Sequence, residues 1–143
     1  MTKKISKFVL TGGPCAGKTT ALNTISNVFT QKGYAVIIVP ESATEIITSG
    51  WDSSRKSVMD FEYAITAQQI SKENLYDKIA NDMPFDKVLI IYDRGIMDAS
   101  AYVSKEDMDE LLALFSLNIA KVMSRYDAVF HLVTAANGAP EFY

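Results

Sequence analysis

Phe8-Val-Leu-Thr-Gly-Gly-Pro-Cys-Ala-Gly-Lys-Thr-Thr20 sets the frame for the rest of the chain. A short apolar run ends in Gly12-x-x-x-x-Gly17-Lys18-Thr19, and a helical pattern follows at once. A strand before and a helix after is the setting in which this spacing makes a phosphate-binding loop. Gly12 and Gly17 can take backbone angles closed to residues with a Cβ, and they let the main chain approach a polyphosphate. Over Gly13, Pro14, Cys15 and Ala16 the loop's N–H groups, which Pro14 alone lacks, are expected to point inward as an anion nest. The helix that follows adds the positive end of its dipole. Lys18 is expected to reach the β- and γ-phosphates, and the Thr19 hydroxyl to ligate Mg²⁺. Cofactor contacts are thus expected from Gly12 through Thr20, with ATP or GTP and Mg²⁺ as the cofactors.

Working outward, 143 residues make room for one domain with a real core, so residues 1–143 are read as a single nucleotide-binding domain. The chain is 48% hydrophobic and 22% charged, an ordinary globular composition. A formal net charge of −3 argues against a broad nucleic-acid-binding face, and no nucleic-acid partner is expected. The single cysteine cannot form an intramolecular disulfide. No apolar run has the length of a membrane span, and Met-Thr-Lys-Lys at the start is not the apolar segment of a signal peptide. The cytoplasm is the expected location.

Elements follow from periodicity. Lys7 to Leu10, Ala35 to Val39, Lys87 to Tyr92 and Tyr126 to Val133 read as strands. Gly17 to about Lys32 reads as a helix on the spacing of Ala21, Leu22, Ile25, Val28 and Phe29, closed by Gly33. Ser42 to Thr48 reads as a short helix. Ser57-x-x-Asp60 resembles a capping box and opens a long helix to about Ala80. Its expected apolar face is Val58, Phe61, Ala64, Ile65, Gln68, Leu75 and Ile79. A short helix is expected over Ile96 to Tyr102, and one longer helix from Ser104 to about Arg125.

Alternating strands and helices imply right-handed crossovers and a parallel sheet between helical layers. Ligands of such sheets bind beyond the carboxyl ends of the strands. The phosphate loop, Glu41 and the pair Asp93-Arg94 each follow a different strand, so one rim collects them. Asp93 sits where a Walker B acid sits and can hold Mg²⁺, or else cap a helix or pair with Arg94. Arg94 can stabilise charge on a transferring phosphoryl group, or form a structural ion pair. Glu41 can accept a proton from a substrate hydroxyl, or cap the helix at Ser42. Asp98 is read as a residue that orients Arg94. Cys15 needs no redox role, and His131 is read as structural. Trp51 and Phe61 are read as packing residues ahead of pocket residues, and Arg55 and Lys56 as a solvated loop.

Four motifs then carry a resemblance: Gly12 to Thr20, Val39-Pro-Glu-Ser-Ala-Thr-Glu45, Tyr92-Asp-Arg-Gly-Ile-Met-Asp98 and Tyr126-Asp-Ala-Val-Phe-His-Leu132. Together they resemble the NadR-like P-loop ATPase domain, often labelled AAA ATPase. That family is related to nicotinamide riboside kinase and, more distantly, to thymidylate and deoxyribonucleoside kinases. The resemblance runs from about Phe8 to Tyr143. It implies an α/β three-layer sandwich of P-loop NTPase, nucleoside-kinase-like topology with strand order 2-3-1-4-5. It implies that Glu41 acts as base and that Asp93-Arg94 match the acid–arginine pair after strand 3, although this chain has Asp-Arg-Gly where Glu-Arg-Ser is common. No lid arginine, fifth strand or base-binding loop can be identified after strand 4. The expectation is therefore a C-terminally incomplete domain with weak nucleotide affinity, low turnover and strand 4 left as an exposed edge.

Two functions remain open at this point. One is ATP-dependent phosphoryl transfer to a small nucleoside- or nucleotide-like acceptor, with Lys18, Glu41, Asp93 and Arg94 as the catalytic set. The other is a nucleotide-binding switch or slow NTPase acting on a partner. No residue that positions an attacking water is evident, which favours the first. The partners expected are a nucleoside triphosphate and a small-molecule acceptor, with an oligomer possible.

Overall fold

A computed structural model describes residues 3–12, 17–50 and 58–132. Strand β1 (Lys4–Gly12) leads into helix α1 (Lys18–Gln31), then β2 (Ala35–Val39), α2 (Ser42–Thr48) and the long α3 (Val58–Asp82). Strand β3 (Lys87–Asp93), a 3-10 turn (Ile96–Ala101), α4 (Lys105–Ala113), α5 (Ile119–Met123) and β4 (Ala128–Leu132) complete the order. The four strands pair in parallel in the order β2-β3-β1-β4. That is the expected order over the strands described, in an α/β sheet of P-loop NTPase type.

Apolar residues at successive positions make β1 and β3 two-faced, as a strand covered on both sides requires. Leu10, Leu89 and Ile91 face α1, where Ala21, Leu22, Ile25 and Phe29 meet them. Val9, Val88, Ile90 and Tyr92 face the other way, toward Ala80 and Tyr76 of α3. A satellite core of Ile96, Met108, Leu111, Leu112 and Val122 gathers the 3-10 turn, α4 and α5. Full burial of each such side chain is worth roughly 1.5–3 kcal/mol. The backbone of α1 ends as its sequence suggests: Gly33 N–H donates to Thr30 O and Tyr34 N–H to Phe29 O. The Phe29 and Tyr34 rings, 5.1 Å apart edge to face, add the apolar contact that goes with this ending.

Two expectations need correction. The helix read from Ser104 to Arg125 is two helices. Ser116 takes a left-handed conformation (φ 59), Ser116 N–H donates to Ala113 O and Leu117 N–H to Leu112 O. Asn118 then caps α5 through its side chain, which accepts from Lys121 N–H. Breaking the helix there lets Leu112, Leu117 and Val122 enter the same core.

The second correction concerns α3. Its buried residues are Glu62, Thr66, Gln69, Lys72, Glu73 and Ala80, whereas Val58 and Leu75 are 56% and 54% exposed. The inward face is polar where Gln69, Lys72 and Glu73 find partners on other parts of the chain. Gln69 Oε1 accepts from Ser42 Oγ at 3.0 Å, and Gln69 Nε2 donates to Glu73 Oε2 at 2.9 Å. Glu73 also accepts from Tyr126 Oη at 2.7 Å and Arg125 Nε at 3.1 Å. Burial, then the Glu73 charge, holds the Tyr126 phenol well above the usual tyrosine range. Among the described residues no helix is long and apolar enough to cross a membrane.

Candidate functional site

Parallel register brings three strand ends to one level. Tyr92 of β3 pairs with Val9 of β1 and with Val39 of β2, and Asp93 pairs with Leu10. Whatever follows Val39, Tyr92 and Leu10 must therefore emerge on one rim, which is where ligands of such sheets bind.

The β1–α1 connection begins and ends on glycines with positive φ, 142 for Gly12 and 80 for Gly17. A Cβ on Gly12 would lie 2.5 Å from Leu132 O. Gly12 is thus required by the neighbouring strand as well as by any ligand. Gly17 is the N-cap of α1, with no capping side chain and no acidic residue in the first turn. The first-turn N–H groups and the positive helix end are left for an anion. Lys18, Thr19 and Thr20 form that first turn, and Thr19 and Thr20 are exposed. Gly13, Pro14, Cys15 and Ala16 lie outside the described residues, as do Trp51, Arg55, Lys56 and Ser57.

On the rim, Lys18 Nζ lies 3.0 Å from Asp93 Oδ1 and 3.8 Å from Glu41 Oε2. Arg94 Nε lies 3.2 Å from the same Glu41 oxygen, close enough to pair although not aligned for a hydrogen bond. Arg94 Nη1 is 3.6 Å from Asp98 Oδ2. Asp98 in turn accepts from Thr11 Oγ1 at 2.7 Å and from Gly95 N–H at 3.1 Å. The structure thus brings Lys18, Glu41, Asp93 and Arg94 together, with Asp98 orienting the guanidinium. The capping alternatives do not describe it. Glu41 occupies the N-cap position of α2 without a side-chain cap bond, and Gly95 holds the N-cap place of the 3-10 turn.

Arg94 is one of two non-glycine residues with positive φ, at 72, among the described residues. Left-handed backbone costs an arginine roughly 1–2 kcal/mol. Two bonds hold it there: Arg94 N–H donates to Leu10 O at 2.8 Å, and Gln69 Nε2 donates to Arg94 O at 3.3 Å. Such imposed strain clusters at functional sites.

A cavity of about 430 Å³ opens beside Glu41 and Arg94, with Phe61, Glu62, Ile65 and Gln69 of α3 on its far wall. A second, of about 360 Å³, lies behind Arg94 and Asp98 against Thr11 and His131. Phe61 is therefore a cavity residue as well as a packing one. Glu62 and Gln69 escaped the reading of the sequence because they stand among apolar residues at helical spacing. Their one signal is a polar residue on each turn of α3 facing inward, visible only once the apolar stripe is known to face elsewhere.

Asp93 and Thr19 offer hard oxygen donors, the type Mg²⁺ takes. Among the described residues no group of three His, Cys, Asp or Glu could cage an ion.

In sequence, a family model described as an AAA domain matches residues 7–141. No curated protein matches the chain.

Proposed function

The chain belongs to the AAA domain family of P-loop proteins, which suggests nucleotide binding, and on that premise we propose that it is an ATP-dependent phosphotransferase of the NadR-like kind. The acceptor is a small nucleoside- or nucleotide-like molecule bearing a hydroxyl. The observation that carries this reading is the cavity of about 430 Å³, which opens beside Glu41 and Arg94 on the phosphate rim. Its volume lies within the roughly 300–1,000 Å³ typical of small-molecule sites. A chamber of that size beside the phosphate rim has room for an acceptor, which favours transfer over hydrolysis alone.

In the proposed reaction the amides of the β1–α1 loop and Lys18 bind the β- and γ-phosphates. Phosphates bound by Lys18 would compete with its ion pair to Asp93 and leave that carboxylate available as a ligand. Thr19 and Asp93 would hold Mg²⁺, which would supply charge neutralisation at the phosphate oxygens. Glu41 accepts the proton of the acceptor hydroxyl as its oxygen attacks, and Arg94 stabilises charge on the phosphoryl group in flight. Asp98 and Gln69 keep Arg94 in place. A cytoplasmic setting, where ATP is at hand, fits this activity.

The test is transfer of γ-labelled phosphate from ATP to a panel of nucleosides. Label in an organic product is the expected result, and label only in inorganic phosphate contradicts it. Glu41→Ala is expected to retain MgATP binding and lose transfer by about 10²–10⁴-fold. Unchanged turnover in that variant removes Glu41 from the role of base.

A further inference from the structure

The cavity beside Glu41 holds a charged side chain that the proposed transfer does not use. Glu62 is 4% exposed and lines that cavity from α3. Among the described residues no hydrogen bond or ion pair reaches its carboxyl. Unlike Thr66 Oγ1 one turn on, its oxygens are not fully enclosed: they open on the cavity, where a ligand's donor can reach them. Burial first, and the Asp98 charge second, push the Glu62 carboxyl above its ordinary range. Gln69, its polar neighbour in the cavity, is already engaged with Ser42, Glu73 and Arg94. Glu62 is thus left waiting for a donor.

The charges around the cavity narrow what can bring that donor. Among the described lining residues the carboxylates are Glu41, Glu62 and Asp98, against one cation, Arg94. Arg94 is itself flanked by Glu41 at 3.2 Å and Asp98 at 3.6 Å. A phosphomonoester entering here would meet an excess of negative charge and a guanidinium already shared. A ring with N–H or amino donors would meet the open Glu62 acceptor, between apolar walls from Phe61, Ile65 and Ala99.

We infer that the acceptor is an unphosphorylated, nucleoside-sized molecule whose donor-bearing ring edge binds Glu62, and that Glu62 sets the preference for it over its monophosphate. The hydroxyl facing Glu41 rests on the phosphotransferase reading, whereas the ring contact does not. The step that follows makes a bond from the acceptor oxygen to the γ-phosphorus, breaks the bond to the β-bridging oxygen, and passes the hydroxyl proton to Glu41.

Binding alone tests this. Adenosine, cytidine, uridine and their 5′-monophosphates are titrated into the chain by calorimetry and ligand-observed NMR, with a non-hydrolysable MgATP analogue present to fill the phosphate site. At least one nucleoside is expected to bind about tenfold or more tighter than its monophosphate, the scale of one charge-assisted contact. Glu62→Gln, which keeps an acceptor and removes the charge, should collapse that ratio to within a few-fold. Glu62→Leu, which removes the acceptor, should weaken the nucleoside by about tenfold. Melting temperature and affinity for the MgATP analogue report whether either variant is still folded. A wild-type chain that binds no nucleoside, or binds monophosphates equally well, overturns the inference. So does a ratio that Glu62→Gln leaves unmoved in a folded protein. Nucleoside binding without label transfer breaks the phosphotransferase reading alone. Transfer to a monophosphate acceptor breaks this inference alone.

Discussion

The two long helices that cover the sheet bury opposite chemistry. On the α1 side, Leu10, Leu89 and Ile91 meet Leu22, Ile25 and Phe29, and the contact is apolar throughout. On the α3 side, Glu62, Thr66, Gln69, Lys72 and Glu73 turn inward; Gln69 and Lys72 bond to the segments that follow β2 and β3, and Glu73 to Tyr126 just ahead of β4. Lys72 Nζ holds Pro40 O at 2.9 Å, directly before Glu41, and Gln69 holds Arg94 O. One side of the sheet is scaffold; the other is a frame for the rim. Substitutions on the first side should change stability alone, and substitutions on the second should change stability and chemistry together.

The largest effect tests the scaffold half. Leu89 is fully buried in a central strand, so Leu89→Ala should lose about 2–5 kcal/mol in chemical denaturation. Its MgATP affinity, measured well below the melting temperature, should be unchanged. A large drop in affinity there would break the division between the two sides. Next comes Gln69→Leu, which strands Ser42 Oγ and Arg94 O. We expect about 1–3 kcal/mol of destabilisation, accompanied by slower phosphoryl transfer as Arg94 loosens. Lost stability with unchanged turnover would make α3 a scaffold like α1.

Acidity sharpens the comparison further. The folded-state value of Glu62 is raised above its ordinary 4.5, so folding favours its protonated form. That contribution is complete below about pH 4.5 and fades as pH rises through the folded value. Glu62→Gln, with no such proton to lose, should melt higher than wild type at pH 7, with the gap closing toward pH 4. A gap that widens on acidification contradicts the burial argument. The smallest effect lies away from both helices: Ser116→Gly should stabilise by about 0.5–1 kcal/mol, because it relieves the left-handed serine between α4 and α5.

The contrast also explains what could be read from residue order. The β1–α1 unit, whose strand runs past the read Lys7–Leu10 at both ends, and β2 over Ala35–Val39 and α2 over Ser42–Thr48 stand where spacing and punctuation put them. Their signals are local: a glycine-rich turn, a proline after a strand, apolar residues three and four apart. The strand-end position of Lys18, Glu41, Asp93 and Arg94 was legible for the same reason, since a parallel sheet gathers its carboxyl ends. The inner face of α3 was not. Val58, Phe61 and Ile65 form an apolar stripe that lines a cavity, not the core, while Leu75 is exposed. The partners that make a buried Glu73 stable, Arg125 and Tyr126, are 52 and 53 residues away along the chain. The break at Ser116 was hidden likewise, because serine in left-handed backbone leaves no mark in apolar spacing.

The central claim is that the turn between β1 and α1, completed by Lys18, holds a triphosphate. Calorimetric titration of MgATP into the wild-type chain and into Lys18→Ala tests it most directly. The account predicts binding by the wild type, weakened by about a hundredfold in the variant at an unchanged melting temperature. Equal affinity in the two, or no heat in the wild type, contradicts it.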